Sequence, residues 1–165
     1  MLAQSRVLAL AVAAGLATSA AASDRFWIEP IIGVWNDTGN WSLTSGGSVG
    51  GGLPQTDDDV FFDSRGICFF EGAGIANPHF GEVTLSGVSQ GTTSILQTSS
   101  PWSADRMTIG SGADDCEFIM SGGSFIAGEM LVGRDAGGEG VLETRDVADL
   151  LVTSAVAVGM NGGEG

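Results

Sequence analysis

A four-residue phrase recurs along this chain at a near-constant interval, and no other feature limits the fold so strongly. Met107, Thr108, Ile109 and Gly110 return as Met130, Leu131, Val132 and Gly133, and again as Val156, Ala157, Val158 and Gly159. Val83 to Ser86 and Val60 to Asp63 follow the same plan, so the starts lie 23, 24, 23 and 26 residues apart. A fixed period of this size marks a repeat architecture. Alternate residues of a strand share a face. The first positions (Val60, Val83, Met107, Met130, Val156) and the third (Phe62, Leu85, Ile109, Val132, Val158) are all apolar, whereas the second positions are mixed. The fourth positions, Asp63, Ser86, Gly110, Gly133 and Gly159, are turn formers. One such strand cannot bury its face alone, but a stack of them builds a continuous core. Each period of roughly 24 residues is therefore read as one coil of an all-β, right-handed parallel β-solenoid.

The remainder of each period adds two further apolar runs. Ile67 to Phe70, Ser94 to Leu96, Phe118 to Met120, and Val141 with Leu142 form the second; Phe125 to Ala127 and Leu150 to Val152 form the third. Together with the phrase they predict a three-sided coil with glycine-rich corners, such as Gly137 to Gly140. The inward side of the second run stays open, because Val141 and Glu143 would share a face.

Residues 1–22 have the form of an export signal: Arg6, an apolar stretch from Val7 to Ala17, and small residues up to Ala22, after which cleavage is expected. The apolar run is shorter than the ~20 residues that a spanning helix needs. The whole chain carries a net charge of −14 and contains no lysine. Nucleic acid and anionic lipid are bound by clusters of Lys and Arg, so neither is an expected partner, and no membrane contact is expected of the mature chain. The domain plan is a signal peptide over 1–22, an amino-terminal cap region over 23–59 and coils over 60–165.

The segment 23–59 holds Trp27, Trp35 and Trp41, three of the four tryptophans. An open solenoid end exposes apolar core and unpaired strand edges. Large rings that cover this end are the stronger reading, and a sugar-stacking platform that includes Trp35, Trp41 and the later Trp102 is the other. The order Phe26-Trp27, Gly33-Val34-Trp35, Asn40-Trp41-Ser42, Thr44 to Gly47, Pro54 and Asp58 to Asp63 resembles the opening of secreted bacterial β-solenoid surface proteins, both autotransporter-passenger-like and anchor-sorted. The phrase with its glycine-rich corners resembles the repeats of the same group. The resemblance implies an exported, cell-surface, adhesin-like repeat protein, with glycans or other surface proteins as the partners to be met.

Chemistry-bearing residues are few. Asp57, Asp58, Asp59 and Asp63 are candidates for calcium, but they lack the spacing of an EF-hand loop, and a solvated turn accounts for them. Asp114, Asp115 and Glu117 form a second acidic corner of the same kind. Asp63, Asp114 and Glu143 are the carboxylates that a glycan-cleaving β-helix could use, yet no spacing singles out a pair. His79 is the only histidine, and no nucleophile elbow, phosphate loop or metal-ligand spacing is present. The two triplets beginning at Asn36 and Asn40 read as turn residues beside the tryptophans. Cys68 and Cys116 fall two coils apart, about 10 Å at ~4.8 Å per coil, beyond the ~7 Å reach of a disulfide. They are expected as two separate thiols facing the core.

The sequence thus predicts a non-catalytic structural or adhesin-like solenoid without a cofactor. A carbohydrate-binding or polysaccharide-degrading β-helix is the alternative. The corner that ends at Gly165 carries no capping pattern, which predicts that this is the amino-terminal part of a longer protein.

Overall fold

The computed structural model describes residues 21–87, 91–112, 115–135, 137–146, 148–160 and 164–165. Strands β1 (Asp24–Trp27), β3 (Trp41–Ser42), β4 (Asp59–Phe62), β6 (His79–Leu85), β8 (Trp102–Ile109), β10 (Ser124–Val132) and β12 (Asp149–Val158) form one sheet. Its order is β12-β10-β8-β6-β4-β1-β3. Strands β2 (Ile32–Val34), β5 (Gly66–Phe70), β7 (Thr93–Gln97), β9 (Asp115–Met120) and β11 (Glu139–Thr144) form the second, in the order β11-β9-β7-β5-β2. The chain passes back and forth between the sheets, and from β6 on each strand pairs in parallel with the one a period earlier. The fold is a parallel β-solenoid.

The phrase residues stack in register. Val60 lies opposite Val83, Val83 opposite Met107, Met107 opposite Met130 and Met130 opposite Val156. Phe62, Leu85, Ile109, Val132 and Val158 make the parallel row. The first four residues of each row are buried, whereas Val156 and Val158 on the outermost strand are 57% and 58% exposed. An inward side chain is covered by its neighbours on both sides, and β12 has a neighbour on one side only.

The expected third side is present but is not a separate sheet. Along β10 the inward residues are Phe125 and Ala127, then Met130 and Val132, so the alternation slips by one at Gly128 and Glu129. The same slip occurs at Asp105 and Arg106 in β8 and at Gly81 and Glu82 in β6. Two successive outward residues turn the inward direction, so each strand rounds a corner with its ladder maintained on either side. Space there is tight: a Cβ at Gly128 would stand 2.5 Å from the Asp105 carbonyl oxygen. In β12 the corner takes one extra residue, a bulge between the partners of Ala127 and Glu129.

Register also settles the second run. Cys68, Ile95, Phe118 and Leu142 form its inward row, and Val141 and Glu143 face out. Cys116 sits in a different row, opposite Thr93. Cys68 is a free, buried thiol whose pKa is pushed up by burial.

The coil pattern begins earlier than Val60. β1 pairs in parallel with β4, and β2 with β5, so most of a rung is built inside the segment expected to be a cap. β3 then folds back antiparallel along the far side of β1, with Trp27 opposite Trp41. The sheet's edge there is reduced to two residues, which limits pairing with another chain.

Position within a row should decide the cost of losing a side chain. Ile109→Ala is expected to cost about 2–4 kcal/mol, and Val156→Ala in the adjacent row under about 1 kcal/mol, because Val156 is already half in water. Urea denaturation of the two variants checks this, and equal costs would contradict the stacking.

Candidate functional site

Trp35 and Trp41 are completely buried and Trp102 is 2% exposed, so none presents a ring face to solvent. They belong to a column of rings that runs up the interior. Trp41 meets Trp35 edge-on at 4.8 Å, Trp35 meets Phe70 edge-on at 4.9 Å, Phe70 stacks on Trp102 at 5.0 Å, and Trp102 lies against Phe125 at 4.2 Å. The ring N–H groups are largely satisfied from within. Trp41 Nε1 donates to the Trp35 carbonyl and Trp102 Nε1 to Oε1 of the buried Gln97, both at 2.8 Å. Gln97 Nε2 in turn donates to the carbonyls of Ser100 and Ser124, which ties the corner to the column. Trp35 Nε1 is buried with no acceptor, a cost of about 1–3 kcal/mol, in the ring that meets Trp41, Phe62, Phe70, Phe80 and Trp102.

The acidic run does not converge on one point. Asp57 is exposed with a left-handed backbone (φ 69°), Asp58 is buried, and Asp59 Oδ1 accepts the Glu82 N–H at 2.7 Å. Asp63 is half-buried after β4. Among the described residues no group of three or more His, Cys, Asp or Glu is placed to hold a metal ion. Asp114 lies outside the described residues; Glu117 accepts the Ser94 hydroxyl at 3.1 Å. Glu143 is paired with Arg145 at 2.6 Å, and that hydrogen bond holds its carboxyl below the usual range. A group kept ionised in this way is a poor proton donor. Asp63 is three rungs from β11, roughly 14 Å at the inter-strand spacing, beyond the separation that paired glycosidase carboxylates use.

The polar residues that do come together were not singled out in the sequence. Glu82, Arg106 and Glu129 stack across β6, β8 and β10 at the outer corner. Arg106 Nε donates to Glu129 Oε2 at 2.8 Å, and an Arg106 terminal nitrogen stands 3.9 Å from Glu82. The Glu129 hydrogen bond raises the Arg106 pKa. Beside them His79 Nε2 lies 3.3 Å from Asp105 and His79 Nδ1 3.0 Å from the Ser103 hydroxyl. The signal was available: each of the three immediately precedes the first residue of a phrase, as Asp59 also does.

The outer face of the second sheet is apolar along one row. Val34, Phe69, Leu96 and Ile119 stack there, and Ile31 (70% exposed) and Ile32 lie at its amino-terminal end. An open cleft of about 450 Å³ beside it is lined by Pro30, Ile31, Arg65, Ile67, Ser94 and Glu117 among others. Scans against family models, curated proteins and solved structures return no match. The chain's own geometry is therefore the guide. It offers an extended ribbed surface, a line of alternating charge and an apolar row, and among the described residues no nucleophile, base and polarised pocket converge. Among the described residues no helix is long and apolar enough to cross a membrane.

Trp102→Ala should cost about 3–5 kcal/mol in urea denaturation, because it opens the column and strips Gln97 of a partner. Arg106→Ala, on the exposed corner, should cost under about 1 kcal/mol, and less again in 1 M salt. A large loss for Arg106 that falls away in 1 M salt would show instead that the charged row carries stability.

Proposed function

We propose that this chain is exported, cleaved after Ala22, and serves at the cell surface as a structural or adhesin-like solenoid without catalysis of its own. The observation that carries the reading is the in-register stacking of one short phrase across five strands of a single sheet. A chain built this way lengthens by about 4.8 Å per rung, and it offers a long outer surface at a modest cost in sequence variety. Function of that kind is spread over a face, which fits the stacked rows outside and the scarcity of convergent polar groups. The burial of every tryptophan supports a mechanical role for the rings, since sugar stacking needs an exposed ring face. The likeness of the 25–63 segment to secreted bacterial solenoids, together with the acidity and the leader pattern, supports export. Glycans or neighbouring surface proteins are the partners that such a surface would meet.

Expression of the full chain with its own leader in a secreting bacterium tests the reading. Recovery of a chain starting at Ser23 outside the cytoplasm, resistant to protease and inert toward polysaccharides, is the expected outcome. Retention inside the cell would end the export reading. Saturable binding to a glycan array, lost in Arg65→Ala with the fold intact, would make a glycan the partner and the cleft beside Ile31 its site, whereas cleavage of a polysaccharide would end the non-catalytic reading.

A further inference from the structure

Asp58 is 2% exposed, and the one cation paired with it, Arg25, makes no hydrogen bond to it through Nε. Its Oδ1 accepts the Ser23 backbone N–H and the Ser23 hydroxyl, each at 2.9 Å, and its Oδ2 accepts the Gln55 N–H at 2.8 Å. The nearby guanidinium is poorly aligned. Arg25 Nε stands 3.4 Å from Oδ2 and is itself buried without a hydrogen bond. A buried carboxylate left with neutral donors and one misdirected cation is costly, unless a better-placed positive charge arrives.

Of the two residues whose backbone N–H groups donate to Asp58, Ser23 and Gln55, Ser23 is the one that cleavage after Ala22 would make the first of the chain. We propose that Asp58 is the receptor for the α-ammonium group released when the leader is removed, so that maturation locks β1 onto β4. This rests on the export reading above. In the cleavage, water adds across the Ala22–Ser23 peptide bond. The hydroxyl goes to the Ala22 carbonyl carbon, a proton goes to the Ser23 nitrogen, and a further proton from solvent makes it an ammonium. An amide N–H at 2.9 Å from a buried carboxylate thus becomes a charged donor at the same place. The Ser23 carbonyl already accepts the Asp59 N–H at 3.2 Å, so the new terminus is held from both sides. Asp58 carries the contact and Arg25 lies on its other oxygen, while Asp59 meets Ser23 through its backbone N–H and turns its carboxylate to the Glu82 N–H.

The sign of the pH dependence follows. An α-amino group ordinarily titrates near about 7.7–8.0, and a carboxylate contact raises that value in the folded chain. The stabilisation is therefore complete below about pH 7.7 and disappears as pH rises through the folded-state value.

The absence of lysine makes the test clean. The chain starting at Ser23, released from a fusion cut directly before it, is treated in denaturant with an amine-selective acetylating ester, which blocks the terminus alone, and is refolded. At pH 6 the free-amine form should melt higher than the acetylated form by about 3 °C or more, with slower amide exchange at Arg25 to Trp27. The difference should vanish by pH 10 and in Asp58→Asn. Equal melting at pH 6, a difference independent of pH, or one retained in Asp58→Asn would overturn the proposal. Should Asp58→Asn not fold, the pH series on the unmutated chain decides alone. Amino-terminal sequencing of the exported protein separates the two readings. A start other than Ser23 sinks the cleavage position and this proposal with it, whereas a start at Ser23 without a thermal difference sinks the Asp58 contact alone.

Discussion

The parallel, in-register ladder is the constraint on which everything else in this molecule depends. Each strand's backbone groups are satisfied by the strands one period before and after it, so a residue's neighbours are set by the repeat and not by the local sequence. Once register is fixed, Val83 must lie between Val60 and Met107, and Leu85 between Phe62 and Ile109. A slip of one residue would turn a whole row outward. Apolar side chains at both inward positions of the phrase make that slip expensive at every rung.

Corners are where this constraint meets its limits. A strand can round a bend only if two successive residues face out, and the backbone of the neighbouring rung then comes close. Gly128 fits that need by lacking a Cβ, Gly81 leaves room for the Asp59 carboxylate, and Asp105 at the same level tolerates the position because its side chain points into water. Beside the bend, Glu82, Arg106 and Glu129 meet as a row of alternating sign. Like charges stacked at a ~4.8 Å spacing would repel; the single arginine between two glutamates relieves this across β6, β8 and β10, and Asp59 beside Glu82 turns its carboxylate to the Glu82 N–H. In an acidic chain, a basic residue placed here keeps the corner from pushing its own rungs apart.

Much of the fold was legible because the phrase repeats with apolar residues at both inward positions. What was hidden was hidden for physical reasons. The first rung escaped notice because Arg25 occupies the place of Val60 in the row, so the apolar signal fails there although the strand pairs normally. The insertion that carries β3 also stretches the interval between Arg25 and Val60 well beyond a period. The third apolar run read as a separate side because sequence shows the change of phase but not that the same two strands stay paired on both sides of it. The inward side of the second run could not be chosen from Val141 and Glu143, since their row is set by Glu117 and Ile119 in the preceding rung. Among the candidate ligand contacts, the fate of Trp102 depended on Gln97, a buried amide that no local pattern marks. The acidic run looked like one feature and is in fact three separate jobs, with Asp58 inside, Asp59 serving a neighbouring backbone and Asp57 in a turn.

The column of rings is unevenly distributed along the axis. Trp27, Trp35, Trp41, Phe62, Phe70, Phe80, Trp102, Phe118 and Phe125 fill the interior from the first rung to β10, and beyond it the inward residues are Leu142, Leu150, Val152 and Val156. The interior is therefore graded, densest where the chain begins. A polypeptide that emerges amino end first would have its firmest rungs complete before the weaker ones appear, and each later coil would condense on a finished template. Such a grading gives the molecule a direction of growth that its nearly uniform repeat would otherwise lack.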